Sequence, residues 1–141
     1  MMKQKPDWII EKKVVLADGT AALWSYDTEG DFLEIFFHEA PASATVELAY
    51  GIFLRFDRKR GRPLSLGFAA VTPLTQQREF GPPLLTLTGL GKLPEPERKI
   101  VLKILQSPPV NTILKIYSFK PGARARAIPV ASLEQPVPLM A

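Results

Sequence analysis

Acidic side chains and the single histidine lie close together in the segment YDTEGDFLEIFFHE. Asp27, Glu29 and Asp31 occupy alternate positions, as the first three ligands of an EF-hand calcium loop do. That loop requires glycine at its sixth position and glutamate at its twelfth, where this chain has Phe32 and His38. We therefore expect the carboxylates to form a tight turn by accepting backbone N–H hydrogen bonds, with a weak cation site as the alternative.

His38 lacks the neighbours that a metal site requires. It shares a strand face with Glu34, but four residues at about 3.3 Å each place the two roughly 13 Å apart. The chain has no cysteine and no second histidine, so it cannot supply a usual zinc ligand set. We predict no metal site, and we expect His38 at the end of a strand, at the surface or under a loop.

Motifs for nucleophilic catalysis and for phosphate binding are incomplete. No serine lies in a G-x-S-x-G motif, and a Ser–His–Asp triad would have to recruit His38 through the tertiary fold. The segment LTGLGKL lacks the first glycine of a phosphate-binding loop, and Leu93 stands where serine or threonine should bind magnesium. We predict no catalytic residue and no cofactor. A hydrolase that uses two of the fourteen acids stays as an alternative.

A basic segment, RFDRKRGR, could contact phosphates or an acidic partner. Arginine binds phosphate through two hydrogen bonds, and such binding weakens as salt is added. The alternative is a solvated hairpin tip that discourages aggregation at a sheet edge. The candidate contact residues are Arg55, Arg58, Lys59, Arg60 and Arg62.

Composition indicates one ordinary soluble domain. A chain of 141 residues with 46% apolar and 23% charged residues can bury a core, so we expect a single domain over residues 1–141. The net charge of +4 leaves an acidic partner open. Without cysteine, a secretory signal or about 20 consecutive apolar residues, we predict a cytoplasmic protein that does not enter a membrane.

Period-two patterning dominates the first half of the chain. Asp18 and Gly19 separate two apolar runs, which predicts a tight hairpin. FLEIFF is apolar on one face and half-apolar on the other, so we expect part of its second face to be covered. VELAYGIFLRF alternates throughout and predicts one long strand, with a bulge or bend at Gly51. Together with LSLGF these runs predict an antiparallel meander over residues 31–71, and no internal repeat is evident.

The second half contains one helical pattern. Two glutamates at its start, a stripe of apolar residues at helical spacing and Pro108–Pro109 after its end predict a helix over residues 94–107, packed on the sheet. NTILKIYSF is apolar on both faces and predicts a central strand under a helix. We expect residues 84–131 to form a strand–helix–strand extension, and residues 132–141 a tail. The predicted class is α+β, mainly an antiparallel β-meander.

Residues 26–74 resemble a small bacterial family catalogued as domain of unknown function 2283. The matching residues are Tyr26, Asp27, Glu29, Asp31, Leu33 and Ile35, followed by Gly51, Ile52, Asp57, Gly61 and Gly67. The resemblance implies a small β-meander without an established activity, and it makes an antitoxin-like binding role conceivable.

These observations together favour a non-enzymatic protein-interaction module, acting as a homo-oligomer or as the partner of another bacterial protein. Nucleic-acid binding through the basic hairpin 55–62 is the first alternative. An unrecognised hydrolase is the second.

Overall fold

The computed structural model of the chain describes residues 7–41, 44–75, 85–119, 123–124 and 128–133. The strands are β1 (Ile9–Val15), β2 (Ala21–Asp27), β3 (Phe32–Phe36), β4 (Ala44–Ala49), β5 (Ile52–Asp57), β6 (Arg62–Ala69), β7 (Leu85–Thr86), β8 (Leu114–Phe119) and β9 (Ile128–Leu133). The α-helices are α1 (Val71–Thr75) and α2 (Glu95–Leu105), and short 3-10 helices span Thr88–Lys92 and Val110–Thr112. Antiparallel strands dominate, so the predicted α+β class is confirmed.

Strands β1 to β6 form one antiparallel sheet in the order β1-β2-β3-β6-β5-β4. It consists of two three-stranded meanders, which become one sheet because β3 pairs with β6. Ile35 pairs with Leu66 at the middle of this contact, and Leu33 pairs with Phe68 on one side of it. On the other side the N–H of Phe37 donates a hydrogen bond to the carbonyl of Leu64. The meanders are therefore related by an approximate two-fold axis through the Ile35–Leu66 pair.

The two meanders share the geometry of their second turns, although the sequence gives no sign of a repeat. Each turn begins with an aspartate, Asp27 or Asp57, whose Oδ1 accepts hydrogen bonds from the backbone N–H groups two and three residues later. Each turn ends at a residue with positive φ, which is 52° for Asp31 and 62° for Gly61. The two turns therefore have the same backbone geometry, although the residue in the left-handed conformation is an aspartate in one and a glycine in the other.

The segment VELAYGIFLRF is a hairpin of β4 and β5, and the prediction of one long strand is wrong. The chain reverses at Tyr50 and Gly51, where Gly51 has a φ of 79°. The two-residue loop pairs Ala49 with Ile52, which alone would shift the alternation of side chains by one position. A β-bulge between Glu47 and Ala49 shifts it back, so the alternating pattern continues unbroken through the turn.

A second sheet has the order β7-β9-β8, with β9 in the middle. The prediction of a central strand in NTILKIYSF is therefore wrong. Strand β8 pairs only with β9 among the described residues, and Tyr117 on it is 42% exposed. Helix α2 lies within the predicted range 94–107. Strand β9 extends to Leu133, and the remainder of the predicted tail lies outside the described residues.

One face of the six-stranded sheet is covered. Trp24, Ile35 and Leu66 on this face belong to the same core as Leu105 of α2 and Leu114 of β8. The 3-10 helix Thr88–Lys92 approaches β4 so closely that a Cβ on Gly89 would overlap the carbonyl oxygen of Glu47. No helix within the described ranges is long and apolar enough to cross a membrane.

The opposite face of the sheet is here called the open face. Its apolar side chains Leu23, Phe32, Phe36 and Phe53 are half-buried, and they are neither part of the core nor among the residues packed against it. The open face comprises Glu11, Lys13, Leu23, Ser25, Phe32, Glu34, Phe36, Thr45, Glu47, Phe53, Arg55, Ser65 and Gly67.

Candidate functional site

The acidic segment forms the predicted turn between β2 and β3. Asp27 Oδ1 accepts hydrogen bonds from the N–H groups of Glu29 at 3.0 Å and Gly30 at 2.9 Å. The side chain of Glu29 is exposed. No group of three or more histidine, aspartate or glutamate side chains within the described ranges could hold a metal ion. The carboxylate of Asp27 therefore stabilises the turn.

Asp31 connects this turn to the start of α1. Its Oδ1 accepts hydrogen bonds from the hydroxyl groups of Tyr26 at 2.8 Å and Thr72 at 2.6 Å, and its Oδ2 accepts one from the N–H of Thr72 at 3.0 Å. Burial raises the pKa of Asp31, but these hydrogen bonds favour the charged form and bring the net pKa below its ordinary value of 3.8. The bond to Asp31 in turn raises the pKa of Tyr26.

His38 lies two residues after the end of β3 and is exposed, as predicted for a histidine at the end of a strand. Its N–H donates a hydrogen bond to the carbonyl of Leu64. Glu34, on the same strand, instead accepts a hydrogen bond from Ser65 Oγ at 2.9 Å. The two side chains therefore have separate surroundings.

The basic segment forms the turn between β5 and β6. Asp57, at the start of this turn, is only 7% exposed. Its Oδ1 accepts hydrogen bonds from the N–H groups of Lys59 at 3.0 Å and Arg60 at 3.3 Å. The buried carboxylate of Asp57 therefore stabilises the turn on which Arg58, Lys59 and Arg60 lie.

The arginines of the basic segment point to different parts of the molecule. Arg55 lies on the open face, with Nη1 4.0 Å from Glu34 Oε2. Arg58 Nη2 lies 3.1 Å from Oε1 of Glu97, which belongs to α2.

Arg60 and Arg62 have other surroundings. Arg60 Nη1 lies 3.5 Å from Asp57 Oδ2. The Nε atom of Arg62 is buried without a hydrogen-bond partner among the described residues. The predicted contact residues therefore do not converge on one site, and the pairing with carboxylates reduces the positive charge that they could offer to a phosphate. Nucleic-acid binding stays a prediction.

The strand register arranges the open face in two rows that cross all six strands. The first row is acidic and reads Glu11, Ser25, Glu34, Gly67, Phe53 and Glu47 from β1 to β4. The second row is basic and reads Lys13, Leu23, Phe36, Ser65, Arg55 and Thr45 in the same order. Neighbouring rows lie about 7 Å apart, two residues along each strand.

A groove with a volume of about 650 Å³ lies at the β1–β3 end of the open face. Its lining includes Leu23 and Phe36, with Glu11, Lys13 and His38 beside them. Sequence reasoning did not identify this surface as a site. The available signal was the half-apolar second face of FLEIFF, from which we expected part of that face to be covered. Among the described residues, Phe32 and Phe36 on this face are half-buried and do not belong to the core, so the expected cover is not found there.

Comparisons of the chain with known protein families, with curated proteins and with solved structures give no match. The resemblance of residues 26–74 to the bacterial family of small meanders stays a prediction.

Replacing Asp31 with asparagine should lower the free energy of unfolding at pH 7 by about 1 kcal/mol, because charge-assisted hydrogen bonds are lost. Asparagine tolerates the positive φ at this position. Since the folded pKa of Asp31 is depressed, its stabilising contribution is present at neutral pH and is lost as the pH falls through that folded pKa, below 3.8.

Urea unfolding at several pH values measures this effect. The difference between the native chain and Asp31→Asn should shrink towards pH 3, and Glu29→Gln, in the same turn, should change stability little at either pH. A difference that is equally large at both pH values would contradict the assignment.

Replacing Arg58, Lys59 and Arg60 together with alanine tests the nucleic-acid prediction. If this turn binds phosphates, affinity for a DNA or RNA duplex at low salt should fall at least tenfold, and the dependence of affinity on salt should weaken. The control replaces Lys92, Lys99 and Lys103 with alanine, which removes the same charge from another surface. Equal affinities for the two triple variants would remove the basic turn as a nucleic-acid site.

Proposed function

We propose that this protein is a non-enzymatic protein-interaction module that docks a protein on the open face of its six-stranded sheet. The observation that carries the proposal is the set of half-buried apolar side chains on this face, Leu23, Phe32, Phe36 and Phe53. Contiguous apolar surface that lies outside a core and is rimmed by polar residues is typical of protein interaction sites. Aromatic residues are also enriched at the centres of protein interfaces.

The dimensions of the open face fit such a role. Six strands about 4.8 Å apart span about 24 Å, and five to eight residues per strand extend about 20 Å, which gives an area of roughly 500 Å². Burying this area on each partner gives about 1,000 Å², at the lower end of specific interfaces. The polar rim and the small area favour a reversible complex.

The alternatives receive less support from the geometry. Asp27 and Asp31, the best candidates for a hydrolase, hold a turn and the start of α1 through hydrogen bonds. Arg55, Arg58 and Arg60 are paired with carboxylates. The resemblance to a bacterial family favours a binding role in the bacterial cytoplasm, and we include this location in the proposal.

Photo-crosslinking in the native host tests the proposed function. A benzoylphenylalanine introduced in place of Phe53 places the photoreactive group on the open face, without adding charge. The same residue in place of Tyr50, which is 98% exposed at the β4–β5 turn, is the control. We expect a discrete protein adduct from position 53, identified by mass spectrometry, and none from position 50.

An adduct that contains either a second copy of this chain or another protein would support the proposal. The absence of an adduct at position 53, or the same adducts at both positions, would contradict it.

A further inference from the structure

The charges of the open face form a self-complementary pattern. The acidic row carries Glu11, Glu34 and Glu47, and the neighbouring row carries Lys13 and Arg55. A surface with opposite charges in adjacent rows can bind its own copy when one copy is turned so that unlike rows meet. We propose that the protein docked on the open face is a second copy of this chain, an inference that rests on the proposed function.

The geometry that places Glu11 against Lys13 has a two-fold axis in the interface, parallel to the rows and midway between them. This rotation keeps each residue at its position across the sheet but exchanges the two rows. Glu11 then faces Lys13 of the second copy, and Lys13 faces Glu11 of the second copy. Because the contact is isologous, this pair of charges occurs twice.

The same rotation gives a favourable contact at β5, the strand next to the edge strand β4. Phe53 lies in the acidic row and Arg55 in the basic row of the same strand, so the ring of each Phe53 faces the guanidinium of Arg55 in the second copy. A cation over an aromatic ring is attracted to it, and the attraction increases when water is excluded. The strand axes of the two copies stay aligned, with facing strands running in opposite directions, as aligned sheet packing allows.

The charge pattern excludes the other two-fold axis in the plane of the face. An axis parallel to the strands would place each row on the row of the same sign. Glu11 would then face Glu47 of the second copy, and like charges placed opposite each other disfavour a complex. The charge pattern therefore selects one of the two arrangements.

The contact should be reversible and partly hydrated. Its area of about 500 Å² on each copy is at the lower end for specific complexes. The grooves of the two copies would meet across the axis, where Ser25 and His38 can bind bridging waters. A dimer that dissociates on dilution, and more readily at high salt, follows from these properties.

The test is a charge exchange between Glu11 and Lys13, which are both exposed on β1. In Glu11→Lys alone and in Lys13→Glu alone, like charges face each other twice in the dimer. Sedimentation velocity at low salt should therefore show dissociation constants on the order of tenfold higher than that of the native chain. An equal mixture of the two variants should regain the native affinity as a heterodimer, because every pair is then of unlike charges.

The matched control is Lys12→Glu, which changes the same charge one residue away on the other side of β1. We expect it to leave dimerisation nearly unchanged. Thermal unfolding of each variant should match that of the native chain, which shows that the sheet is intact.

A native chain that stays monomeric at all concentrations, or a mixture that does not regain affinity, would overturn the inference. If the chain is monomeric but position 53 crosslinks to a different protein, the dimer is wrong and the proposed function stands. If neither contact is found, both fail.

Discussion

The pairing of β3 with β6 is the contact on which the rest of the molecule depends. Ile35, Leu66 and Phe68 are almost completely buried along it, and it joins segments about thirty residues apart into one sheet. Its register also sets which residues face the core, because a shift by one residue would exchange the two faces of a strand. The covered face and the rows of charge on the open face therefore continue from one meander to the other only through this pairing.

Local patterns in the sequence predicted much of the fold. Alternation identified the strands, the Asp18–Gly19 turn identified the first hairpin, and the apolar stripe identified α2. The β4–β5 turn was missed because the β-bulge between Glu47 and Ala49 cancels the one-position shift that a two-residue loop introduces. The alternation of apolar and polar residues is therefore not interrupted at the turn. The relation between the two meanders was missed because the residue with positive φ at the end of the turn is Asp31 in the first meander and Gly61 in the second. A hydrogen bond from Thr72 supports Asp31 there, and Thr72 lies 41 residues away in the sequence, where local patterns do not connect the two.

The candidate site was much less predictable, because its parts come from distant segments. The basic residues 55–62 could be named from the sequence, but Glu34 and Glu97, which pair with two of them, lie on β3 and α2. The rows of charge need the registers of all six strands. Only the half-apolar outer face of FLEIFF gave a local sign of the surface.

The central claim is that the open face, and not the surface around α2, lies between two copies of the chain. Dipolar electron paramagnetic resonance measures this directly, since the chain has no cysteine and one introduced cysteine gives one label. A label at Ser25→Cys on the open face should give an inter-label distance below about 20 Å, because aligned sheets pack about 10 Å apart. A label at Lys103→Cys on α2 should give more than about 30 Å, because a helix layer adds about 10 Å on each copy. A short distance at Lys103, or no dipolar coupling at Ser25 at concentrations that give a dimer, would contradict the account.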